Sequence, residues 1–261
     1  MYGFWKIKRI LQKLSFLNYY HTGRSLLNDS EYKDVQLRSH IETRKRPIRT
    51  EVINYILSQR SGETVYLEIG VHNPIDNFSH IKSDVKYGVD PGRYFKPNPV
   101  DFKMTSDEFF EKVSKDQILS KETRFDVIFI DGSHLAPQVD KDVRNSLQFL
   151  KDDGFIVLHD CNPPSEWHAR EKYSYKHTPA LYNWNGTTWK AFLKWRSEPS
   201  LQSCCVDVDW GVGVLAKKHK LGKPIDSTNE FFEYWLLEQN KNEDLNLIDF
   251  ETFRKKIKEG Y

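Results

Sequence analysis

The stretch Phe125-Asp-Val-Ile-Phe-Ile-Asp-Gly-Ser-His134 carries the residues best suited to chemistry. Its apolar run has strand character and delivers Asp131, Gly132, Ser133 and His134 to one strand end, where an acid and a histidine three residues apart can converge on one substrate. Gly154-Phe-Ile-Val-Leu-His-Asp-Cys-Asn-Pro163 repeats the arrangement with His159, Asp160 and Asn162. A histidine, with an ordinary pKa of about 6.5, can take a hydroxyl proton at neutral pH. Carboxylates at the same rim could hold a hard divalent cation that acidifies that hydroxyl. Each residue also has a plainer reading: His134 as a capping or loop residue, Asp160 as a capping acid ahead of the Pro163-Pro164 turn.

Two earlier stretches supply binding rather than proton transfer. Tyr66-Leu-Glu-Ile-Gly-Val-His-Asn-Pro-Ile-Asp-Asn-Phe78 runs from an apolar strand into a turn, with Glu68 as charged neighbour and Gly70 as a point of close ligand approach. Lys86-Tyr-Gly-Val-Asp-Pro91 ends a second strand on Asp90, about 20 residues after the first turn, where nucleotide-binding sheets place an acid for ribose hydroxyls.

These residues need a sheet that brings several strand ends to one edge. Val65–Ile69, Lys86–Asp90, a weak Val100–Met104, Phe125–Ile130 and Phe155–Leu158 read as strands, with helices at Pro47–Gln59, Ser106–Lys115 and Gln138–Leu150. Pro47 is expected in the first turn of its helix, with Ile48, Val52 and Ile56 as the apolar stripe. Gln202–Val208 and Gly211–Ala216, separated by Asp209 and Trp210, read as an antiparallel hairpin closing the sheet. The fold expected is α/β: a Rossmann-like, mostly parallel seven-stranded sheet with that closing hairpin and helices on both faces.

The order Leu67-Glu-Ile-Gly70, Gly88-Val-Asp90, Phe125-Asp-Val-Ile-Phe-Ile-Asp131 and Gly154-Phe-Ile-Val-Leu-His-Asp160 resembles class I S-adenosylmethionine-dependent methyltransferases over about Val65 to Lys217. Within that class it is most similar to small methyltransferases of bacterial glycan and capsule clusters, and more distantly to macrolide-sugar O-methyltransferases. The resemblance implies that Glu68, Gly70, Asn73, Asp90, Thr105, Ser106, Asp131 and Gly132 contact S-adenosylmethionine. It further implies that His134, with Asp131, serves as catalytic base, and that Asp131 and Asp160 hold Mg²⁺ as a candidate second cofactor. The chain departs from the macrolide-sugar relatives in having His159-Asp160 where they carry two adjacent acids, and its first turn, Val71-His-Asn-Pro74, is poor in glycine. A nicotinamide-dependent oxidoreductase is the rival, disfavoured because Gly70-Val-His-Asn-Pro-Ile lacks Gly-x-Gly-x-x-Gly. A non-catalytic S-adenosylmethionine-binding protein of the same fold is the other alternative.

The domains expected are an N-terminal helix and lid-like segment over 1–46, a methyltransferase domain over 47–220 with an aromatic insert at 162–189, and a C-terminal helical extension over 221–261. Tyr19–Arg46 reads as a lid or irregular connection. The insert interleaves Trp167, Tyr173, Tyr175, Tyr182, Trp184 and Trp189 with polar residues, which suits a sugar or small-molecule acceptor or else a homodimer contact. Arg170, Lys172 and Lys176 within it would tolerate an anionic acceptor. Cys204 and Cys205 are expected in the core, and His72, His168 and His177 as solvated loop residues. With 39 basic against 37 acidic residues there is no field to gather nucleic acid, and three cysteines without metal or disulfide spacing suit a cytoplasmic protein. Trp5, Ile10, Leu11, Leu14 and Leu17 lie near helical spacing among Lys6, Lys8, Arg9 and Lys13, which reads either as a peripheral membrane contact or as a helix packed on protein.

Overall fold

Each apolar strand-like run is followed by a chain segment long enough to cross back over the sheet, and a parallel sheet results. The computed structural model describes residues 15–226 and 229–259. Its strands are β1 (Val65–Ile69), β2 (Val85–Val89), β3 (Phe125–Ile130), β4 (Leu150–Leu158), β5 (Gln202–Val206), β6 (Val212–Ala216) and β7 (Leu247–Ile248). They form one seven-stranded sheet in the order β2-β1-β3-β4-β6-β5-β7. All neighbouring pairs are parallel except those of β6, which is antiparallel to both β4 and β5.

The strand count matches expectation but the membership does not. Val100–Met104 contributes a single parallel bridge, Phe102 to Val89. The Asp101 carboxylate accepts from the Gly88 amide at 2.8 Å, so a side chain occupies a donor that a longer ladder would use. The seventh place goes to β7, two residues too short to show periodicity in the sequence.

The helices are α1 (Ser15–Asn28), α2 (Ser30–Arg44), α3 (Arg49–Ser58), α4 (Ser106–Ser114), α5 (Ala136–Phe149), α6 (Thr188–Arg196), α7 (Tyr234–Asp244) and α8 (Phe250–Glu259). Strand alternation sorts the core into two faces. Ile128 and Ile130 of β3 pack with Phe109, Val139, Val143 and Phe192 from α4, α5 and α6. Val127 and Phe129 pack on the other side with Val52, Ile53 and Ile56 of α3 and Phe253 and Ile257 of α8. Cys204 and Cys205 are fully buried on opposite faces, core residues as expected.

Two expectations are corrected. Tyr19–Arg46 is not irregular: it lies in α1 and α2, except for the Asp29 cap and the residues after Arg44. The buried stripe of α2 is Val35, Ser39 and Glu42, so it has helical spacing but little apolar character, which hides it from a hydrophobic pattern. Pro47 precedes α3, whose first helical residue is Arg49, because the Glu51 carboxylate accepts from the Ile48 amide and sets the cap there. The expected helix around Trp5–Leu14 lies outside the described residues. No helix among the described residues is long and apolar enough to cross a membrane.

Candidate active site

Parallel pairing puts the C-terminal ends of β1, β3 and β4 on one rim, and the antiparallel β6 brings the β5–β6 turn to the same rim. That turn is zipped to the chain leaving β4: the Cys161 amide donates to the Gly211 carbonyl and the Asn162 amide to the Trp210 carbonyl, both at 2.9 Å. Gly211 has φ +89°, and a Cβ there would lie 2.3 Å from the Asn162 nitrogen, so glycine is needed for this approach. A cavity of about 320 Å³ opens at the rim, lined among others by Arg49, Glu68, Gly70, Asp131, His134, His159, Asp160, Trp184 and Trp210.

Asp131, His134 and Asp160 meet at its centre, one ligand atom of each within 4.8 Å of the others. His134 Nδ1 is 2.7 Å from Asp160 Oδ2, an approach off the hydrogen-bonding direction of the ring that leaves Nδ1 without a hydrogen-bond partner. His134 Nε2 is 3.8 Å from Asp131 Oδ1, and the ring stacks on Trp184 with centroids 5.0 Å apart. Asp160 has φ +61°, and Asn185 Nδ2 donates to its Oδ1 at 2.9 Å, leaving Oδ2 for the imidazoles. His159 Nδ1 reaches Asp131 Oδ1 at 3.2 Å and Asp160 Oδ2 at 3.4 Å.

The electrostatics follow from this packing. Burial presses His134 and His159 toward their neutral forms, but Asp160 and Asp131 outweigh it and hold both pKa values above the ordinary value. Asp160 is held low: burial opposes ionisation, and the two histidines more than offset it. Asp209 Oδ2 accepts from Arg49 through its amide at 2.9 Å and Nη1 at 3.0 Å, while Asp209 Oδ1 lies 3.6 Å from His159 Nε2. Arg49 Nε is also 3.6 Å from Asp131 Oδ2. One guanidinium from the N-terminal side of the domain thus braces two acids of the rim.

Glu68 lies deeper. Burial pushes its pKa up to about 8, against the lowering effect of hydrogen bonds from Tyr66 Oη at 2.6 Å and Asn77 Nδ2 at 2.8 Å. Thr50 Oγ1 in turn donates to Asn77 Oδ1 at 2.7 Å. Gly70 has φ +87°, and a Cβ would lie 2.2 Å from Gly132 Cα. Its glycine is therefore required by the β1 and β3 strand ends pressing together, rather than only by a ligand.

The structure brings Glu68, Gly70, Asp131, His134 and Asp160 together around the cavity. The other sequence-derived positions have local partners. Asp90 accepts from the His72 amide at 2.9 Å and the Gly92 amide at 2.6 Å, tying the first loop to the end of β2. Asn73 caps the short turn of helix at Pro74–Asp76, and Thr105 caps α4. Ser106 is buried and donates to Asp142 Oδ1 at 2.6 Å. His72 and His177 are exposed as expected, but His168 is fully buried between Ser39 Oγ and Ser165 Oγ, each at 2.8 Å. That corrects its reading as a solvated loop histidine: two hydroxyls satisfy the ring, and burial drives its pKa down to about 3.

Arg49, Asn77, Asn185 and Asp209 were missed in the sequence. Asp209 alone had a signal. A hairpin closing a sheet antiparallel to β4 must place its turn at the C-terminal end of β4, beside His159.

Residues 79–161 match the family model described as a methyltransferase domain. The match runs from just before β2 to just after β4 and contains Asp90, Asp131, His134 and Asp160. That match, on a Rossmann-like sheet, supports reading the chain as an S-adenosylmethionine-dependent methyltransferase. No curated protein matches it. Among solved structures it is similar to a putative O-methyltransferase from Klebsiella pneumoniae, at 13% identity and TM-score 0.39, over 80% of this chain and 99% of that one. It is also similar to the O-methyltransferase from Bacillus cereus in complex with SAH, at 14% identity and TM-score 0.38, over 78% and 97% of the two chains. Neither likeness is close enough to carry a residue's role across.

Proposed function

We propose that the chain methylates a hydroxyl of a sugar or another metabolite of glycan assembly, with His134 as general base. The observation that carries this reading is His134 itself: a half-buried imidazole at the cavity, backed by Asp160 and stacked on Trp184. S-adenosylmethionine, when bound, supplies an electrophilic methyl group on sulfur. The cavity fits such a donor, because Asp76, Asp131 and Asp160 line it with acids suited to an ammonium and a sulfonium, with the buried Glu68 carboxyl beside them. Asp90, Asn73, Thr105, Ser106 and Gly132 remain candidate contacts along the nucleoside side; Ser106 would act there through its backbone, its hydroxyl being engaged by Asp142.

His134 would take the proton of the acceptor hydroxyl as that oxygen receives the methyl group from the donor's sulfur. Asp160, held ionised, stabilises the imidazolium that forms. His134 must be neutral to act, and a sulfonium in the same cavity favours loss of its proton. Trp184 and Tyr182 at the cavity wall offer aromatic faces on which a sugar ring can lie. Arg170 is not an anion site: its guanidinium donates to the carbonyls of Trp167, Leu181 and Asn183.

Asp131 and Asp160 would hold a divalent cation, which would acidify and orient the acceptor hydroxyl and leave His134 free to take its proton. Asp131 and Asp160 offer carboxylate oxygens within 4.8 Å of one another, a hard oxygen pair that fits Mg²⁺ or Mn²⁺. The test is transfer of a labelled methyl group from S-adenosylmethionine to a panel of sugars and nucleotide sugars, with Mg²⁺, Mn²⁺ or chelator. Labelling of a sugar oxygen, lost in His134→Gln, supports the reading. Labelling of amines alone, or full activity of His134→Gln, overturns it.

A further inference from the structure

Helices in proteins are stabilised chiefly by burying an apolar face, and α1 buries none of its residues. It nevertheless has such a face. Phe16, Tyr20, Gly23 and Leu27 recur at helical spacing, with Tyr19 and Leu26 flanking them, while Asn18, Thr22, Ser25 and Asn28 lie away from it. Phe16 is 66% exposed, Tyr19 75%, Tyr20 58% and Leu27 63%. A free apolar face of this kind needs a partner.

The charge pattern says which partner. Residues 1–28 contain Lys6, Lys8, Arg9, Lys13 and Arg24 and no acid, the first being Asp29. Five of the chain's 39 bases thus lie in this stretch, leaving 34 against all 37 acids in the remainder. Net positive charge is therefore concentrated in the stretch of sequence that leads into and includes α1. Phe4, Trp5, Ile7, Ile10, Leu11 and Leu14 add further apolar and aromatic residues to the same acid-free stretch. Bases interleaved with aromatic and aliphatic residues match an anionic bilayer surface: the rings seat at the headgroup level and the cations meet lipid phosphates.

We propose that the Phe16, Tyr20 and Leu27 face of α1 docks the enzyme on an anionic lipid surface, favoured by the bases that precede it in the sequence. The active-site rim is built from β1, β3, β4 and the β5–β6 turn and takes nothing from α1, so docking leaves the site complete. Lipid-linked acceptors would then be presented to a tethered enzyme.

The test is co-sedimentation of the full-length protein with vesicles of phosphatidylcholine alone and of phosphatidylcholine mixed with phosphatidylglycerol, at low and high salt. Binding is expected only with phosphatidylglycerol and weakened by salt. Replacing Lys6, Lys8, Arg9 and Lys13 with Ser is expected to lower it about tenfold or more, since each base near the surface contributes to attraction. Phe16→Ser, Tyr20→Ser and Leu27→Ser combined is expected to abolish stable binding while leaving the thermal unfolding curve unchanged, because none of the three is buried. No binding to either vesicle overturns the proposal, as does binding that neither set of substitutions reduces. Light scattering that shows a dimer dispersed by the triple variant assigns the face to a second copy and also overturns it.

Discussion

Asp142→Asn should make the protein more stable at neutral pH and slightly less stable in acid. Asp142 on α5 is buried, and burial raises its pKa to about 6 from an ordinary 3.8, against the lowering hydrogen bonds of Ser106 and Gln138. A carboxyl whose folded-state pKa is raised contributes its full stability below the unfolded value and loses it as pH climbs through the folded value. Two pKa units correspond to about 3 kcal/mol, lost between roughly pH 4 and pH 6. Asparagine keeps the two hydrogen bonds, because Ser106 Oγ and Gln138 Nε2 both donate to the same oxygen, Oδ1, at 2.6 and 3.1 Å. Its amide nitrogen is a new donor in a buried place, costing about 1 kcal/mol. The net gain above pH 6 is therefore about 2 kcal/mol, a rise of roughly 4–8 °C in Tm. Thermal unfolding of both proteins from about pH 4 to pH 8 checks this; the variant should be about 1 kcal/mol less stable near pH 4 and overtake the parent as pH rises toward 6. A constant offset, or a variant less stable at pH 8, would refute the assignment of Asp142 as a carboxyl whose ionisation burial opposes.

Gly70→Ala should destabilise by about 3 kcal/mol or more, since it combines left-handed strain with a backbone collision against Gly132; urea unfolding measures it. Asp209→Ala should cost about 3 kcal/mol by the same measurement, because it strips Arg49 of its close carboxylate and leaves a largely buried guanidinium beside Asp131. A loss under roughly 0.5 kcal/mol would show that solvent or Asp131 alone suffices for Arg49. His134→Gln should lower kcat by about 10²–10⁴ while S-adenosylmethionine affinity stays within a few fold, as expected for a base that acts on the acceptor. Equal losses in donor affinity and kcat would instead make His134 a donor-binding residue.

The sheet was legible because β1, β3 and the Phe155–Leu158 part of β4 are largely buried, mostly apolar runs that end on glycines and acids. Asp131, His134 and Asp160 were legible for the same reason: a strand end fixes where the next residue points. What escaped has no such frame. Helix α2 packs through Val35, Ser39 and Glu42, two of them polar, so its period carries no hydrophobic signal. Arg49 and Asn185 reach the rim from segments more than 100 residues apart, and only the folded chain brings both there. Asp90 and Ser106 show the converse case. Their types and spacing point to a nucleotide, while their side chains first satisfy the fold, Asp90 holding the His72 amide and Ser106 the Asp142 carboxyl.

The central claim is that the rim beside Glu68, Gly70 and Asp131 binds S-adenosylmethionine. Calorimetric titration of the purified protein with S-adenosylmethionine, and separately with NADH, tests it most directly. Saturable heat with the sulfonium donor alone, weakened in Asp90→Ala under conditions where that variant remains folded, is the predicted result. Saturation by NADH with no response to S-adenosylmethionine would contradict it.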